Sequence, residues 1–484
     1  MFCLPQSNTV EHDSQDIFPN VDILPFCNPV DSPLGLSTKA FRLIWKKMHL
    51  PDIFKKYVTD HRRCAITYAQ SALLSSGVLI YFLHSGSRNA FQEQAKSSPI
   101  FTRNIAKAID APKIPCSKTI EDAFSQIDPT DLVPVLPALF RQLINSKLFQ
   151  LHPETTDNGR FLIAVDGFTN HTYTTDSQHD TSTCPYCLKR RRGKHTWFYH
   201  IDVCLSVVTP GGQRFPLFFH RVQGAPEQEN YSNEKFKQEC ELTALEPLIK
   251  QFRSFFPKLK FTVLADSLYA NKRIMELAEK YQFEYAVVRK SGSLSSLNSE
   301  VDGLKKYVTH VSTCCRKGGQ RLTRTAFVIN DLFHAGHAFR LIDFQEKARR
   351  LPLTSGRFSK KSPKSRHWQW ICNGKVTNVN IFEKAEKARL RWLQEDQGNS
   401  LNNRGFAARH DMSRAPESQT VWRFGMYIAY FLIQLMTIIA LLHPQKMAIR
   451  NRIKDLWAEL AKVSPEFLWN LPLPAQLRFV FDSS

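Results

Sequence analysis

Two aspartates in this sequence each follow a short apolar run. Asp166 ends the run at 161–165, and Asp266 ends a similar run at 261–265. Each run predicts a buried β-strand with a carboxylate at its C-terminal end. If the two strands are parallel neighbours, both carboxylates lie at the edge of the sheet where open α/β folds bind ligands. One such aspartate alone is more simply a turn or helix cap, but two in matching context predict a shared site.

Carboxylate oxygens suit Mg²⁺ or Mn²⁺, and two such ions about 4 Å apart support phosphoryl transfer. Such a site usually needs a third acid, and Glu395 is the best candidate. It falls on a helix predicted over 381–396, before a polar turn predicted at 398–405. Arg391, one turn earlier, is predicted to hold that carboxylate or a phosphate, although an ordinary surface ion pair is the simpler alternative. Asp396 is the second choice, but it points about 100° away on the helix.

A second group of ligand-type residues lies between the first two predicted strands. Cys184 and Cys187 are followed by His195 and His200, in the pattern Cys-x2-Cys-x7-His-x4-His. The residue types and the first spacing suit structural zinc, whereas the middle gap is shorter than in a zinc finger. The alternative is a tight turn that carries two reduced cysteines. The neighbouring basic residues at 189–194 favour contact with a DNA backbone in either case.

The composition indicates a large basic protein with a polyanionic partner. The chain has 484 residues, a formal net charge of +21 and a pI near 9.5. Most of the excess positive charge lies beyond residue 150, in the same region as the candidate catalytic acids. This charge favours nucleic acid over a membrane surface as the partner. The start of the sequence has no secretory-signal pattern and the cysteines are mostly scattered, so we expect a reducing, intracellular protein.

The order of elements predicts an α/β fold. After residue 160, three strands that can form a meander are followed by helix, strand, helix and strand, which predicts a mixed sheet with parallel crossovers. The helices before it either bind DNA ends or serve packing and dimerisation. The predicted segments are an irregular lead-in (1–36), a helical N-terminal domain (37–150), the first part of the catalytic core (151–289), a β-rich basic insertion (290–380), the second part of the core with the third acid (381–415) and a C-terminal helical region (416–484).

The insertion contains a basic stretch with no acid between Lys347 and Arg366. Lys360 and Lys361 lie within it and are predicted DNA contacts. A charge run is commonly a solvated loop, but beside a metal site in a basic protein it is equally suited to gripping phosphates. Strands are predicted before it at 307–314, 325–329 and 338–344.

Residues 425–442 form an uncharged stretch that is long enough to raise the question of a transmembrane helix. Gln434 and Thr437 interrupt it, and the sequence has no second segment of this kind. We therefore expect a helix buried in a large core, and no membrane partner.

Together these motifs resemble the Asp-Asp-Glu (DDE) class of insertion-sequence transposases, which have an RNase H-like catalytic core. One branch of that family has a motif of Tyr, two residues, Arg, three residues, Glu, six residues and Lys around its third acid. Arg391 matches the arginine, whereas Ala388 and Asn402 stand at the tyrosine and lysine positions. The resemblance covers about 160–415, and a β-rich insertion is also a feature of this branch. The matching residues are Val165-Asp166-Gly167, Ala265-Asp266-Ser-Leu-Tyr-Ala-Asn271, Arg389-Leu-Arg391-Trp392-Leu-Gln-Glu395, Gly398 and Asn402-Asn403-Arg404-Gly405.

The resemblance implies that Asp166, Asp266 and Glu395 bind two Mg²⁺ (or Mn²⁺) ions. These would serve cleavage at the terminal inverted repeats of a transposable element and transfer of the freed 3′-OH to target DNA. A homodimer bridging two DNA ends and a cytoplasmic, nucleoid-associated location are also implied. The alternatives are a metal-dependent nuclease on the same core without strand transfer, or a catalytically inactive DNA-binding derivative. The residues expected to contact DNA are Arg389, Arg391, Trp392, Arg404, Lys360 and Lys361.

Overall fold

The described part of the chain is a mixed α/β fold, as the sequence predicts. One large mixed sheet packs against helices that come from both ends of the chain. The computed structural model describes residues 36–470 apart from 64–65, 147–155, 158, 175–183, 225–232, 318–319, 351–364, 411, 414 and 442–448.

The N-terminal region consists of short helices, in agreement with the helices expected there. They are α1 (Leu36–Lys47), α2 (Leu50–Tyr57), α3 (Gln70–Phe82), α4 (Arg88–Ser97), α5 (Pro99–Ala108), α6 (Ser117–Phe124) and α7 (Val135–Asn145). Every residue of α3 is buried, because its small and apolar side chains cover the whole circumference of the helix. A helix buried on all sides serves as the centre of a core.

The central part of the chain builds the first half of the sheet. Its elements are β1 (Thr156–Asp157), β2 (Arg160–Thr174), β3 (Leu188–Arg192), β4 (His195–Val208), β5 (Arg214–Arg221), α8 (Asn233–Phe255), β6 (Phe261–Ala265), α9 (Lys272–Tyr281) and β7 (Glu284–Arg289). Strands β2, β6 and β7 are parallel neighbours, whereas β4 is antiparallel to β2. Phe161 lies opposite Phe261 and Ala164 opposite Leu264. The two apolar runs are therefore aligned residue for residue.

The insertion extends the same sheet. Its elements are α10 (Asn298–Leu304), β8 (Val311–Lys317), β9 (Gln320–His334), β10 (His337–Arg350) and β11 (Arg366–Cys372). Strand β11 pairs antiparallel with β7, and β10, β9 and β8 follow in that order. The predicted strand at 307–314 is misplaced, since β8 begins at Val311. Strand β11 was missed because its basic start hid the alternation of Trp368, Trp370 and Cys372.

Two helices carry the region of the third acid, where the sequence predicts one. They are α11 (Ile381–Arg389) and α12 (Trp392–Asn403). The turn predicted at 398–405 is wrong, because α12 continues through Gly398. A Cβ added to Gly398 would lie 3.3 Å from the Cβ of Phe168 on β2. The glycine therefore sits within the helix to permit close approach to the sheet.

The C-terminal helices share a core with the N-terminal ones. They are α13 (Pro416–Leu441), α14 (Ile449–Leu460) and α15 (Pro465–Asn470). Helix α13 packs against α3, α1 and β5 and is buried from Val421 to Met436, so the prediction of a buried helix at 425–442 is confirmed as far as Met436. Among the described residues, no helix combines the length and hydropathy that a membrane crossing requires.

Candidate active site

The prediction that Asp166 ends its strand is wrong, because β2 continues through it to Thr174, whereas Asp266 directly follows β6 as predicted. The two aspartates nevertheless lie side by side. Extending the β2–β6 register two residues beyond Ala164 and Leu264 brings Asp166 opposite Asp266, and paired strands lie about 4.8 Å apart. Asp266 also caps the 3₁₀ turn that follows β6, where its Oδ1 accepts a hydrogen bond from the Leu268 amide at 2.9 Å. Asp266 therefore caps this turn and also lies beside Asp166.

Helix α12 packs against β2 and carries Glu395, which Arg391 links to Asp166. Two glutamines on its buried face bond to β4. The amide oxygen of Gln397 accepts from the Ser206 hydroxyl at 3.0 Å, and Gln394 donates to the Cys204 carbonyl at 3.4 Å. Glu395 lies off this face, with its side chain 55% exposed. The helix is thus fixed on one side while its acid remains accessible.

Arg391 connects two of the three acids. Its Nη1 donates to Asp166 Oδ2 at 3.4 Å, and its Nη2 donates to Glu395 Oε1. The arginine side chain is only 16% exposed. The contact with Glu395 is therefore one half of a bridge, and the guanidinium places a positive charge between two carboxylates that repel each other.

Asp166 has a strongly perturbed carboxyl group. Burial and the charge of Asp266 raise its pKa to about 7, Glu241 and Glu395 add to the rise, and Arg391 opposes it. A carboxyl whose pKa is raised by burial and by neighbouring acids is typical of a functional site, and a bound cation relieves the repulsion between the acids.

Glu241 is an acid of this cluster that the sequence prediction missed. It lies on α8 and is 5% exposed. A Cβ added to Gly167 would lie 2.7 Å from the Glu241 Cδ, so the glycine after Asp166 admits this carboxylate. The available sequence signal was an acid on the helical face that also carries the buried Leu245 and Leu248.

Asp396, the second choice for the third acid, has a structural role instead. It pairs with Arg214 on β5 and with Arg404 at 2.8 Å, and so ties α12 to the sheet.

Arg404 remains 60% exposed. Trp392, directly beside Arg391 in sequence, is 51% exposed. Both predicted DNA contacts are thus accessible, Trp392 at the start of the helix that carries the third acid and Arg404 directly after its end.

Arg389 lies away from the acids. Its guanidinium carbon is 4.4 Å from the centre of the Trp368 ring, and its Nη1 is 3.6 Å from a carboxylate oxygen of Glu346. The side chain therefore packs on the strands of the insertion. Lys360 and Lys361 lie outside the described residues.

A separate cluster of metal-ligand residues adjoins the β3–β4 hairpin. The ligand atoms of Cys184, Cys187 and His200 lie within 4.8 Å of one another. The inclusion of His195 was wrong, because it is exposed at the hairpin turn, where it pairs with Arg192. Along a strand, the step of five positions from His195 to His200 corresponds to about 16 Å.

No protein-family model matches this chain, and no curated protein matches it. The functional interpretation therefore rests on the motifs and on the geometry of these two clusters.

Proposed function

We propose that this chain is a DNA transposase of the Asp-Asp-Glu class with an RNase H-like core. It would cleave DNA and transfer the freed 3′-OH by metal-dependent phosphoryl transfer. The observation that carries the proposal is the convergence of Asp166, Asp266 and Glu395. Asp166 lies within β2, Asp266 directly follows the neighbouring parallel strand β6, and Glu395 lies on helix α12.

The donor set fits hard divalent cations. Asp166, Asp266 and Glu395 offer only carboxylate oxygens, and burial together with the charge of Asp266 raises the pKa of Asp166. Held by these three residues, Mg²⁺ or Mn²⁺ would supply activation of the nucleophile and charge neutralisation at the scissile phosphate. Glu241 adds a further negative charge beneath the same site.

Arg391 is proposed to hold a DNA phosphate. In the structure its guanidinium serves as the counter-ion of Asp166 and Glu395. Once cations neutralise these acids, the planar fork of the arginine can grip a phosphate with two hydrogen bonds. The exposed ring of Trp392 next to it offers a surface on which a displaced base would stack.

The basic residues favour DNA as the substrate because of the end of the sheet at which they lie. Strand β10 runs in the same direction as β2, so the exposed Lys347 and Arg349 lie at the end of the sheet that carries the acids. The β3–β4 turn reaches that end as well, with the exposed Arg190 and Lys194 near it. Positive charge thus flanks the acid site on both sides, as binding of a phosphate backbone requires.

The test is incubation of the purified chain and Mg²⁺ with DNA that carries the inverted repeats bracketing its coding region, together with target DNA. Nicking at the repeat ends followed by joining to the target supports the proposal. Cleavage without joining supports the nuclease instead, and DNA binding without cleavage supports the inactive derivative.

Asp166→Ala must abolish both steps if the acid site is assigned correctly. The matched control is Glu383→Gln, which removes an exposed carboxylate that pairs with Lys387 on α11. Cleavage that survives in Asp166→Ala, or that is lost equally in Glu383→Gln, contradicts the assignment of the site.

A further inference from the structure

We propose that Cys184, Cys187 and His200 bind one thiophilic divalent metal ion, with zinc as the best match, beside the root of the β3–β4 hairpin. This site is distinct from the carboxylate site in both its ligands and its location. It lies next to the edge strand β3, whereas Asp166 and Asp266 lie on or directly after the inner strands β2 and β6. The inference does not depend on the proposed function, because it concerns metal binding without DNA.

The ligand atoms are spaced for a single ion. His200 Nε2 lies 3.3 Å from Cys184 Sγ and 3.2 Å from Cys187 Sγ. Zinc bound about 2.3 Å from sulfur and 2.0 Å from nitrogen holds such atoms roughly 3.5 Å apart in a tetrahedral site. Small side-chain shifts therefore suffice for all three atoms to reach one ion.

The backbone around the cysteines is held in place. The Cys187 amide donates to the Cys184 carbonyl at 3.4 Å, which closes the turn between the two thiols, and the Gly224 amide donates to the Pro185 carbonyl at 2.7 Å. A Cβ on Gly224 would lie only 2.2 Å from the Cys187 carbonyl oxygen. The turn is thus clamped by a segment that has no room for a side chain, which is the pre-organisation that a metal site needs.

Arg221 orients the histidine. Its Nη2 lies 3.0 Å from His200 Nδ1 and 3.1 Å from the Gln419 amide oxygen, and its guanidinium stacks on Tyr186 at 4.0 Å. With Nδ1 engaged by this buried arginine, Nε2 is directed at the two sulfurs. Since arginine only donates, the neutral ring carries its hydrogen on Nε2, and an ion would replace that hydrogen.

The competing explanation is a metal-free cluster in which Nε2–H donates to the thiols. Ligand chemistry favours the ion, since two sulfurs and one imidazole nitrogen form a typical zinc donor set. Within the described residues the cluster has three members, which leaves one coordination position for water or another group. Bound metal would fix the base of a hairpin whose basic turn lies at the acid end of the sheet.

The test uses the full chain, purified under reducing conditions, stripped with a chelator and titrated with Co²⁺. We expect one ion per chain and a thiolate-to-cobalt charge-transfer band that Zn²⁺ abolishes. Cys184→Ser, Cys187→Ser and His200→Asn should each weaken binding at least 10-fold. His195→Asn and Cys315→Ser are the matched controls and should bind Co²⁺ like the unmodified chain.

His200→Cys distinguishes loss of a ligand from loss of folding. The third thiolate should keep the ion bound and intensify the charge-transfer band. Circular dichroism establishes that each variant is folded. A folded wild-type chain without the cobalt band establishes the metal-free cluster and overturns the proposal. Equal losses in His195→Asn and His200→Asn would also overturn it.

Discussion

The carboxylate site and the thiol cluster are assembled in opposite ways. The acids come from positions 166, 266 and 395 and meet because two strands align in register and a helix closes over them. The thiol cluster comes from the short stretch 184–200, folded back on itself by one hairpin. The first site depends on the whole fold, whereas the second depends on a local turn and its clamp.

The two sites also differ in what they contribute to stability. The acids repel one another, and Arg391 only partly offsets this, so the fold carries an electrostatic cost there. His200 lies within hydrogen-bond distance of both thiols, and a bound metal ion would stabilise the folded chain further. Substitutions should therefore have opposite effects on stability in the two regions.

The largest effect is expected for removal of the third acid. Glu395→Gln should lower DNA cleavage on the order of 10³-fold, or about 4 kcal/mol of transition-state free energy, because the metal ligand is lost. Thermal stability should hardly change, since the side chain is exposed. Cleavage rates at saturating Mg²⁺ test this, with Glu383→Gln as control, and undiminished cleavage would remove Glu395 from the site.

Gly224→Ala should break the thiol cluster without touching the acids. The added methyl collides with the Cys187 carbonyl, and we expect a loss of about 3 kcal/mol in unfolding free energy. Co²⁺ binding should fall with it. Denaturant unfolding measures the loss of stability, and cobalt titration measures the loss of affinity. Full cobalt affinity in this variant would show that the contact between Gly224 and the Cys184–Cys187 turn does not matter for metal binding.

Asp166→Asn should stabilise the protein when no divalent cation is added. An aspartate has a pKa of about 3.9 in the unfolded chain, and the fold raises that of Asp166 to about 7. The wild type therefore has its full stability below pH 4 and loses part of it as the pH rises to about 7. Asparagine removes this loss and should add about 1–3 kcal/mol at pH 8.

Urea unfolding between pH 4 and 8 tests this sign. The difference between wild type and Asp166→Asn should grow with pH and shrink when Mg²⁺ is added. A variant less stable than the wild type at pH 8 would mean that the acid cluster carries no electrostatic cost.

The smallest effect is expected for Gly398→Ala. The added Cβ meets the Phe168 side chain at 3.3 Å, a contact that a small shift of α12 relieves. Alanine is favoured over glycine inside a helix by about 1 kcal/mol, which offsets the tight contact. We therefore expect little net change in stability and a several-fold fall in cleavage as Glu395 moves. Unchanged cleavage would show that the packing of α12 against β2 does not determine the position of Glu395.

The sequence predicted the elements that have strong local patterns. The apolar run at 261–265 matches β6, the run at 161–165 marks only the first part of β2, and the uncharged stretch lies within α13 apart from its last residue. The parallel pairing itself was only a condition of the prediction, because no local signal encodes which strands are neighbours. The contribution of Glu241 could not be seen, since an acid among helical leucines gains its meaning only once Gly167 is found against it.

The errors have the same origin. His195 shares its residue type with His200, but strand geometry separates them by about 16 Å. The glycine and asparagines at 398–405 suggest a turn, whereas packing of Gly398 against Phe168 holds them in a helix. In both cases tertiary position overrides local composition.

The most direct test of the central claim is Mn²⁺ binding in the presence of a DNA duplex with the terminal repeats, measured by electron paramagnetic resonance. We predict that Asp166→Asn combined with Asp266→Asn abolishes this binding, whereas Cys184→Ser leaves it intact. Binding that persists in the double aspartate variant would contradict the assignment of the carboxylates as the catalytic metal site.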